Sequence, residues 1–132
     1  MKFVDTTFLI SLLRGDERTI EKAKSLNEEG GAATTAINIY EAAYGIHRGM
    51  SNPPKRLIEL EKLASSLDIF NLDYQAALKA AEISGKLDRA GMSIDPFDSL
   101  VAAIALVNGA DSIITRNPTH FERVDGLVVE TH

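Results

Sequence analysis

Three carboxylates in this sequence stand where they could do chemistry together. Asp5 follows the apolar segment of residues 2–4, Glu41 lies in a helical segment, and Asp98 opens a helix of Val, Ala, Ile and Leu. Carboxylate oxygens suit a hard cation such as Mg²⁺ or Mn²⁺, which one or two carboxylates commonly hold together with water and substrate phosphate. Such an ion activates water and stabilises charge on a phosphodiester. These residue types therefore indicate metal-dependent hydrolysis, provided that the fold brings them together.

Asp98 also has a purely structural interpretation. Asp95 suits the N-cap of a helix, Pro96 suits its first turn, and negative charge at Asp98 is favoured near a helix N-terminus. The residues that follow are so apolar that we expect this helix to be buried on most of its surface. A buried helix rarely carries a carboxylate inward without a partner. Asp95 can therefore cap the helix and leave Asp98 free to hold a cation.

The order of strands and helices predicts where the acids would meet. Short apolar strands are predicted at about residues 2–4, 32–35, 68–72, 112–115 and 127–130, and helices at about 6–13, 16–27, 36–49, 55–66, 73–89 and 95–108. The strands lack strict alternation of apolar and polar residues, which is typical of a mainly parallel sheet covered by helices on both faces. The predicted fold class is therefore layered α/β.

Polar residues follow several of these strands. In open parallel sheets, ligands bind beyond the carboxyl ends of the strands. Asp5 closes the first strand, and Asn117 follows the fourth. Thr34 and Thr35 close the second strand, about two turns before Glu41. We therefore expect one acidic site at this edge of the sheet.

The composition narrows the possible functions. The chain has 132 residues, 45% hydrophobic and 25% charged, which predicts one globular domain over residues 1–132. Its net charge of −5 argues against a purely electrostatic nucleic-acid binder, but a bound cation would reverse the local field. No apolar run is long enough to cross a membrane, no secretory signal is visible, and cysteine is absent. These features are compatible with a cytoplasmic protein.

Four segments, taken in order, resemble the motifs of a PIN-domain ribonuclease. They are residues 3–7, 34–41, 98–103 and 114–121. No segment is specific alone, but their order and separations match over nearly the whole chain. Within the family the chain most resembles the small, free-standing VapC-type toxins of toxin–antitoxin pairs. The resemblance implies a three-layer α/β/α fold with a mainly parallel five-stranded sheet, and a Mg²⁺- or Mn²⁺-dependent endoribonuclease.

The resemblance also implies roles for individual residues. Asp5, Glu41 and Asp98 match the three catalytic acids that bind the metal. Asn117 matches the fourth catalytic position, which is often Asp in the family. Because Asn carries one negative charge fewer, the number of metal ions stays open. Thr6 matches the small hydroxyl residue after the first acid, which could orient Asp5 or a metal-bound water.

Other residues are candidates for supporting roles. Thr115 ends the fourth strand beside the site, and Arg116 is the arginine closest to the site in sequence and a candidate RNA contact. The histidines are interpreted as surface or packing residues, and Tyr40 and Tyr44 as core or dimer contacts. The resemblance further implies a homodimer and a cognate antitoxin, which would block the site by placing a basic side chain against the acids.

Other classes share parts of this pattern. A phospho-receiver domain also ends its first strand with acids, but here Asp5 is followed by two threonines and no lysine follows the fourth strand. A haloacid-dehalogenase-type phosphatase needs an Asp-x-Asp motif, whereas position 7 is Thr7. A PIN-domain nuclease of RNA processing and a catalytically inactive partner-binding module remain as alternatives, although the intact acids argue against the inactive module.

Overall fold

The computed structural model describes all 132 residues as a five-stranded sheet between layers of helices. The strands are β1 (Lys2–Val4), β2 (Ala33–Thr35), β3 (Asp68–Phe70), β4 (Ser112–Thr115) and β5 (Val129–Thr131). The helices are α1 (Thr6–Leu13), α2 (Glu17–Glu28), α3 (Ala36–Gly49), α4 (Pro53–Ala64), α5 (Tyr74–Arg89) and α6 (Pro96–Val107), with a 3₁₀ helix at Phe121–Arg123. The α/β prediction is confirmed.

The strand order places the candidate site at the centre of the sheet. The order is β3-β2-β1-β4-β5, and every neighbouring pair is parallel. From β1 the chain builds outward through β2 and β3, and it then returns to β4 on the other side of β1. Ligands of open parallel sheets bind at such a reversal. Asp5 follows β1 and Asn117 follows β4, so both lie at this crevice.

Two apolar layers hold the sheet. Phe3 of β1 and Ile113 of β4 belong to the cluster formed with α5 and α6. The next residues along these strands, Val4 and Ile114, belong to the cluster on the opposite face with α1, α3 and α4. This alternation is the pleat of a strand buried on both faces. It explains why the strands read as continuous apolar runs.

Helix α6 is buried as predicted. Residues 101–105 are essentially inaccessible, and Ala102, Ala103 and Ala105 among them let the helix approach the sheet closely. Phe97 in the first turn stays exposed. The buried body of α6 therefore anchors its N-terminus, where Asp98 stands, at the edge of the crevice.

Four predicted boundaries were wrong by two residues, among them the end of α4, which stops at Ala64 rather than at residue 66. Helix α4 begins at Pro53 rather than at residue 55, because Asn52 caps it through a 3.4 Å bond from the Lys55 amide, and prolines at its first two positions lose no intrahelical bond. Strand β5 covers Val129–Thr131 rather than residues 127–130, since Val129 pairs with Ile113. Strand β3 stops at Phe70 rather than at residue 72.

None of the helices has the length and apolar character that a membrane span requires.

Candidate active site

A polar cleft lies at the carboxyl ends of β1 and β4. Its volume is about 290 Å³, and only one of its lining residues is hydrophobic. It contains all four predicted catalytic residues together with six others: Asp5, Thr6, Thr7, Asn38, Glu41, Asp95, Asp98, Asn117, His120 and Phe121. The structure therefore brings Asp5, Glu41, Asp98 and Asn117 to one place.

Asp5 is buried at the floor of the cleft and accepts three hydrogen bonds. Only 4% of its surface is exposed, and its Oδ1 accepts bonds from the Phe8 amide at 3.1 Å and the Thr7 hydroxyl at 2.6 Å. Its Oδ2 accepts a 2.5 Å bond from the Thr115 hydroxyl. Burial raises the pKa of Asp5, and these three donors oppose that rise. Asp5 therefore caps α1 through Oδ1 while it lines the cleft.

Thr7 and Thr115 tie Asp5 to the loop that follows β4. The Thr7 hydroxyl accepts a 2.9 Å bond from the Arg116 amide, and the Thr115 hydroxyl accepts a 2.9 Å bond from the Asn117 amide. Each hydroxyl has one proton, which it donates to Asp5. Thr115 thus contacts the site as predicted, although its part in the reaction stays a prediction. Thr7 was missed because nothing in sequence distinguishes it from Thr6.

Glu41 is oriented by Thr6. Helix α3 begins after its N-cap Thr35, and this start places Glu41 at the cleft wall, where its Oε1 accepts a 2.9 Å bond from the Thr6 hydroxyl. Burial raises the pKa of Glu41, the Thr6 bond opposes this rise, and the charge of Asp98 adds to it. The Thr6 hydroxyl thus donates to Glu41 rather than to Asp5, and its predicted role toward a metal-bound water stays a prediction.

Asp95 caps α6 as predicted and Asp98 takes no part in the cap, while metal binding by Asp98 stays a prediction. Asp95 is the N-cap of α6 and accepts a 2.8 Å bond from the Phe97 amide. Asp98 Oδ2 lies 2.7 Å from His120 Nδ1 instead of contributing to the cap. Burial raises the pKa of Asp98, and the His120 contact opposes the rise. His120 is partly exposed, and its contact with Asp98 could not be predicted from sequence because it depends on the path of the loop after β4.

Arg116 does not reach the cleft with its side chain. Its guanidinium forms an ion pair with Asp16 and lies 3.3 Å from the Thr19 hydroxyl, at the N-terminus of α2. Its backbone amide, rather than its charge, serves the site. A contact between Arg116 and RNA stays a prediction, and it would be made outside the cleft.

The cleft offers the type of donor atom that a hard divalent cation prefers. The acids offer only carboxylate oxygens, and Asp98 and Glu41 each use a single oxygen in the bonds described above. No three Asp, Glu or His side chains converge closely enough to form a complete metal site in this arrangement. Like charges at close range repel, and the raised pKa of Glu41 reflects partly this repulsion. The cleft therefore has the chemistry of a Mg²⁺ site but not a preformed coordination shell.

Comparison with known protein families agrees with this geometry. The sequence profile of the PIN domain matches residues 2–127, nearly the whole chain. The chain belongs to the PIN-domain family.

Relatives within the family are VapC proteins. The chain is 30% identical over 131 residues to the tRNA(fMet)-specific endonuclease VapC of Shigella flexneri, an alignment that covers 98% of this chain and 97% of the relative. It is 28% identical over 131 residues to the protein of the same name from Salmonella typhimurium, with the same coverage. The suspected resemblance to VapC-type toxins is thereby confirmed.

Solved structures show the same architecture. The structure of VapBC2 from Rickettsia felis bound to a promoter DNA fragment superposes with a TM-score of 0.89 at 20% identity, covering 99% of this chain and 98% of that one. DNA-bound VapBC from Salmonella typhimurium gives a TM-score of 0.86 at 27% identity, covering 98% and 96%. The predicted three-layer PIN-like fold is confirmed.

Proposed function

We propose that this chain is a metal-dependent endoribonuclease that acts as the toxin of a toxin–antitoxin pair. The observation that carries the proposal is the convergence of Asp5, Glu41 and Asp98 in one cleft at the reversal point of the sheet. The VapC relatives, which match over almost the full length, give the reaction class. The alternative of an inactive module does not account for four intact polar positions in that cleft.

The proposed cofactor is Mg²⁺, with Mn²⁺ as an alternative. Asp5, Glu41 and Asp98 would hold it, and when bound it would supply activated water and stabilise charge on the phosphodiester. The chain's own contribution is to fix the acids: Thr7 and Thr115 hold Asp5, and Thr6 holds Glu41. Asn117 adds a neutral amide beside them. We infer in-line displacement without a covalent intermediate.

RNA is the proposed substrate, and transfer RNA is the first RNA to test because both named relatives are tRNA(fMet)-specific. The single domain over residues 1–132 would act in the cytoplasm, where its RNA is found. Specificity for one RNA would come from loop shape and surface charge around the cleft rather than from the acids.

The proposed protein partner is a cognate antitoxin. The cleft is lined by four carboxylates, those of Asp5, Glu41, Asp95 and Asp98, with His120 as the one basic residue. A lysine or arginine side chain of a partner would be favoured there by charge complementarity. The VapBC structures, whose family is one of toxin–antitoxin systems, support this kind of assembly.

A homodimer is also part of the proposal. The rings of Tyr40, Tyr44 and Phe97 form an exposed aromatic cluster, with Tyr40 and Tyr44 stacked at 6.2 Å and Tyr40 and Phe97 edge-to-face at 5.8 Å. Aromatic residues are enriched at protein interfaces. The cluster supports self-association through α3 and the start of α6.

Expression in bacteria tests the toxin assignment. Induction of the wild-type chain should arrest growth and fragment cellular RNA, whereas Asp98→Asn at equal protein level should do neither. Co-expression of the cognate antitoxin, sought in the reading frame beside this one, should restore growth. Unimpaired growth with intact RNA, despite abundant folded wild-type protein, would contradict the assignment.

A further inference from the structure

Asn38 has a buried side-chain amide that lines the cleft but makes no hydrogen bond to Asp5, Glu41 or Asp98. Only 2% of its surface is exposed, and it lies on the first turn of α3, one turn before Glu41. Its side chain makes two hydrogen bonds: Oδ1 accepts from the Thr35 hydroxyl at 2.7 Å, and Nδ2 donates to the Thr6 hydroxyl at 3.0 Å. It therefore connects the N-cap of α3 to the residue that binds Glu41.

These bonds permit only one direction of donation. The Asn38 backbone amide donates to Thr35 Oγ1 at 3.2 Å, so the single proton of that hydroxyl is free for Asn38 Oδ1. The orientation of the amide is set from the other end of the network: an ionised Glu41 can only accept, so the one proton of Thr6 goes to Glu41 Oε1, Thr6 must accept from Asn38 Nδ2, and Oδ1 is left for Thr35. A hydroxyl that accepts from an amide N–H keeps its own proton for another acceptor, and here that acceptor is Glu41 Oε1.

We propose that Asn38 is a positioning residue that holds the Thr6 proton on Glu41 and thereby fixes this carboxylate for cation binding. The proposal rests on the function proposed above for Glu41. Asn38 acts through Thr6 and does not touch the carboxylate itself. Without its amide, the Thr6 hydroxyl could rotate and donate elsewhere, and Glu41 would lose both its donor and its fixed orientation.

The electrostatics of the cleft explain why a neutral donor is used here. Glu41 faces the charges of Asp98, Asp95 and Asp5, and burial further disfavours its ionised form. A lysine or arginine would stabilise the carboxylate but would also compete with the cation. A threonine proton directed by an amide stabilises the charge without adding a positive one.

The proposal can be tested by Mn²⁺ binding measured by titration calorimetry on the purified protein. Outer-shell partners of metal ligands typically change metal affinity about 10- to 100-fold when they are removed. We expect Asn38→Ala and Thr6→Val each to weaken Mn²⁺ binding by about tenfold. Because both act through one bond to Glu41, the double variant should be no weaker than either single one. Thr6→Ser, which keeps the hydroxyl, should bind as the wild type does.

A matched control and a second measurement keep the test decisive. Asn27→Ala, at an exposed position on α2, should leave Mn²⁺ affinity unchanged. If Asn38→Ala does not fold, NMR of the Asn38 side-chain amide can replace it. The Nδ2 proton that is donated to Thr6 should be better protected from exchange in the wild type and in Thr6→Ser than in Thr6→Val.

Four results would separate the possibilities. Additive losses in the double variant, or wild-type Mn²⁺ affinity in Asn38→Ala, would overturn the role of Asn38. Where the NMR measurement replaces that variant, unchanged protection in Thr6→Val would overturn it as well. If the wild type neither bound Mn²⁺ nor cleaved RNA, the proposed function itself would fail, and this proposal with it.

Discussion

His120 Nδ1 lies 2.7 Å from Asp98 Oδ2 at the mouth of the cleft. An ionised Asp98 can only accept, so this short contact is a hydrogen bond donated by His120 Nδ1, and the Asp95 amide, 3.5 Å from the same nitrogen, lies at the outer limit of hydrogen bonding. The imidazole thereby fixes one oxygen of Asp98 and leaves the other free. This is the arrangement expected of a residue that orients a metal-binding carboxylate.

Removal of His120 should therefore weaken the site. We expect His120→Ala to lower Mn²⁺ affinity and the RNA cleavage rate by about 10- to 100-fold. Cleavage of labelled tRNA and calorimetric titration measure the two effects. His47→Ala, at an exposed position on α3, is the matched control. Equal cleavage rates and equal Mn²⁺ affinities in the His120 and His47 variants would show that the contact between His120 and Asp98 contributes to neither.

Charge on Glu41 should destabilise the cation-free protein. Its pKa is raised by burial, so its contribution to stability is present below the ordinary carboxyl range and is lost as the pH rises through the folded-state value. At pH 7 the charge is unfavourable, and Glu41→Gln should raise the melting temperature in EDTA. The gain should shrink as the pH falls to about 4.

Calorimetry in EDTA at several pH values measures this difference. Glu61→Gln, at an exposed position on α4, should give no such gain. Saturating Mn²⁺ should reverse the order of wild type and Glu41→Gln, because a ligand stabilises the form that binds it. A lower melting temperature for Glu41→Gln in EDTA at pH 7 would contradict the account.

Whether a feature of the fold or of the candidate site could be predicted from sequence depends on whether residues close together in the chain determine it. Asp5, Glu41 and Asp98 were predictable because apolar strands and helices fixed their positions relative to the carboxyl end of the sheet. His120 and Asn38 were not, because their partners lie in segments distant in sequence.

The boundary errors have a similar origin. The start of α4 depends on the φ of +52° and the capping bond at Asn52, whereas the Asn-Pro-Pro sequence alone indicates a break. The position of β5 depends on its register with β4, which its own apolar residues do not reveal. Propensity and pattern therefore placed the elements, and tertiary pairing set their ends.

Substitution of Arg116 tests whether positive charge outside the cleft contributes to RNA binding. If its guanidinium contacts a phosphate, Arg116→Ala should weaken RNA binding and reduce the slope of log affinity against log salt by about one. Loss of the exposed pair with Asp16 should cost at most about 1 kcal/mol of unfolding free energy. Filter binding of tRNA to the Asp98→Asn background at several salt concentrations measures the slope. Arg89→Ala, on α5, is the control, and an unchanged slope for Arg116→Ala would remove it from the RNA interface.

A substitution within the aromatic cluster tests the proposed homodimer. Tyr40 is 55% exposed, Tyr44 53% and Phe97 39%, so the rings present apolar surface to solvent. Tyr44→Glu would place a charge within an apolar contact, so we expect it to convert a dimer to a monomer in sedimentation equilibrium. Ile58→Glu, a comparably exposed apolar position on α4, should stay dimeric. A wild type that sediments as a monomer would refute dimerisation through this cluster.

Cleavage of purified RNA is the most direct test of the central claim, that the cleft around Asp5, Glu41 and Asp98 is a cation-dependent ribonuclease site. The wild type should cut tRNA in Mg²⁺ or Mn²⁺ and stop when EDTA is added. Asp5→Asn and Asp98→Asn, each shown to be folded by circular dichroism, should reduce the rate by at least about a hundredfold. Full cleavage by both variants, or by the wild type in EDTA, would contradict the account.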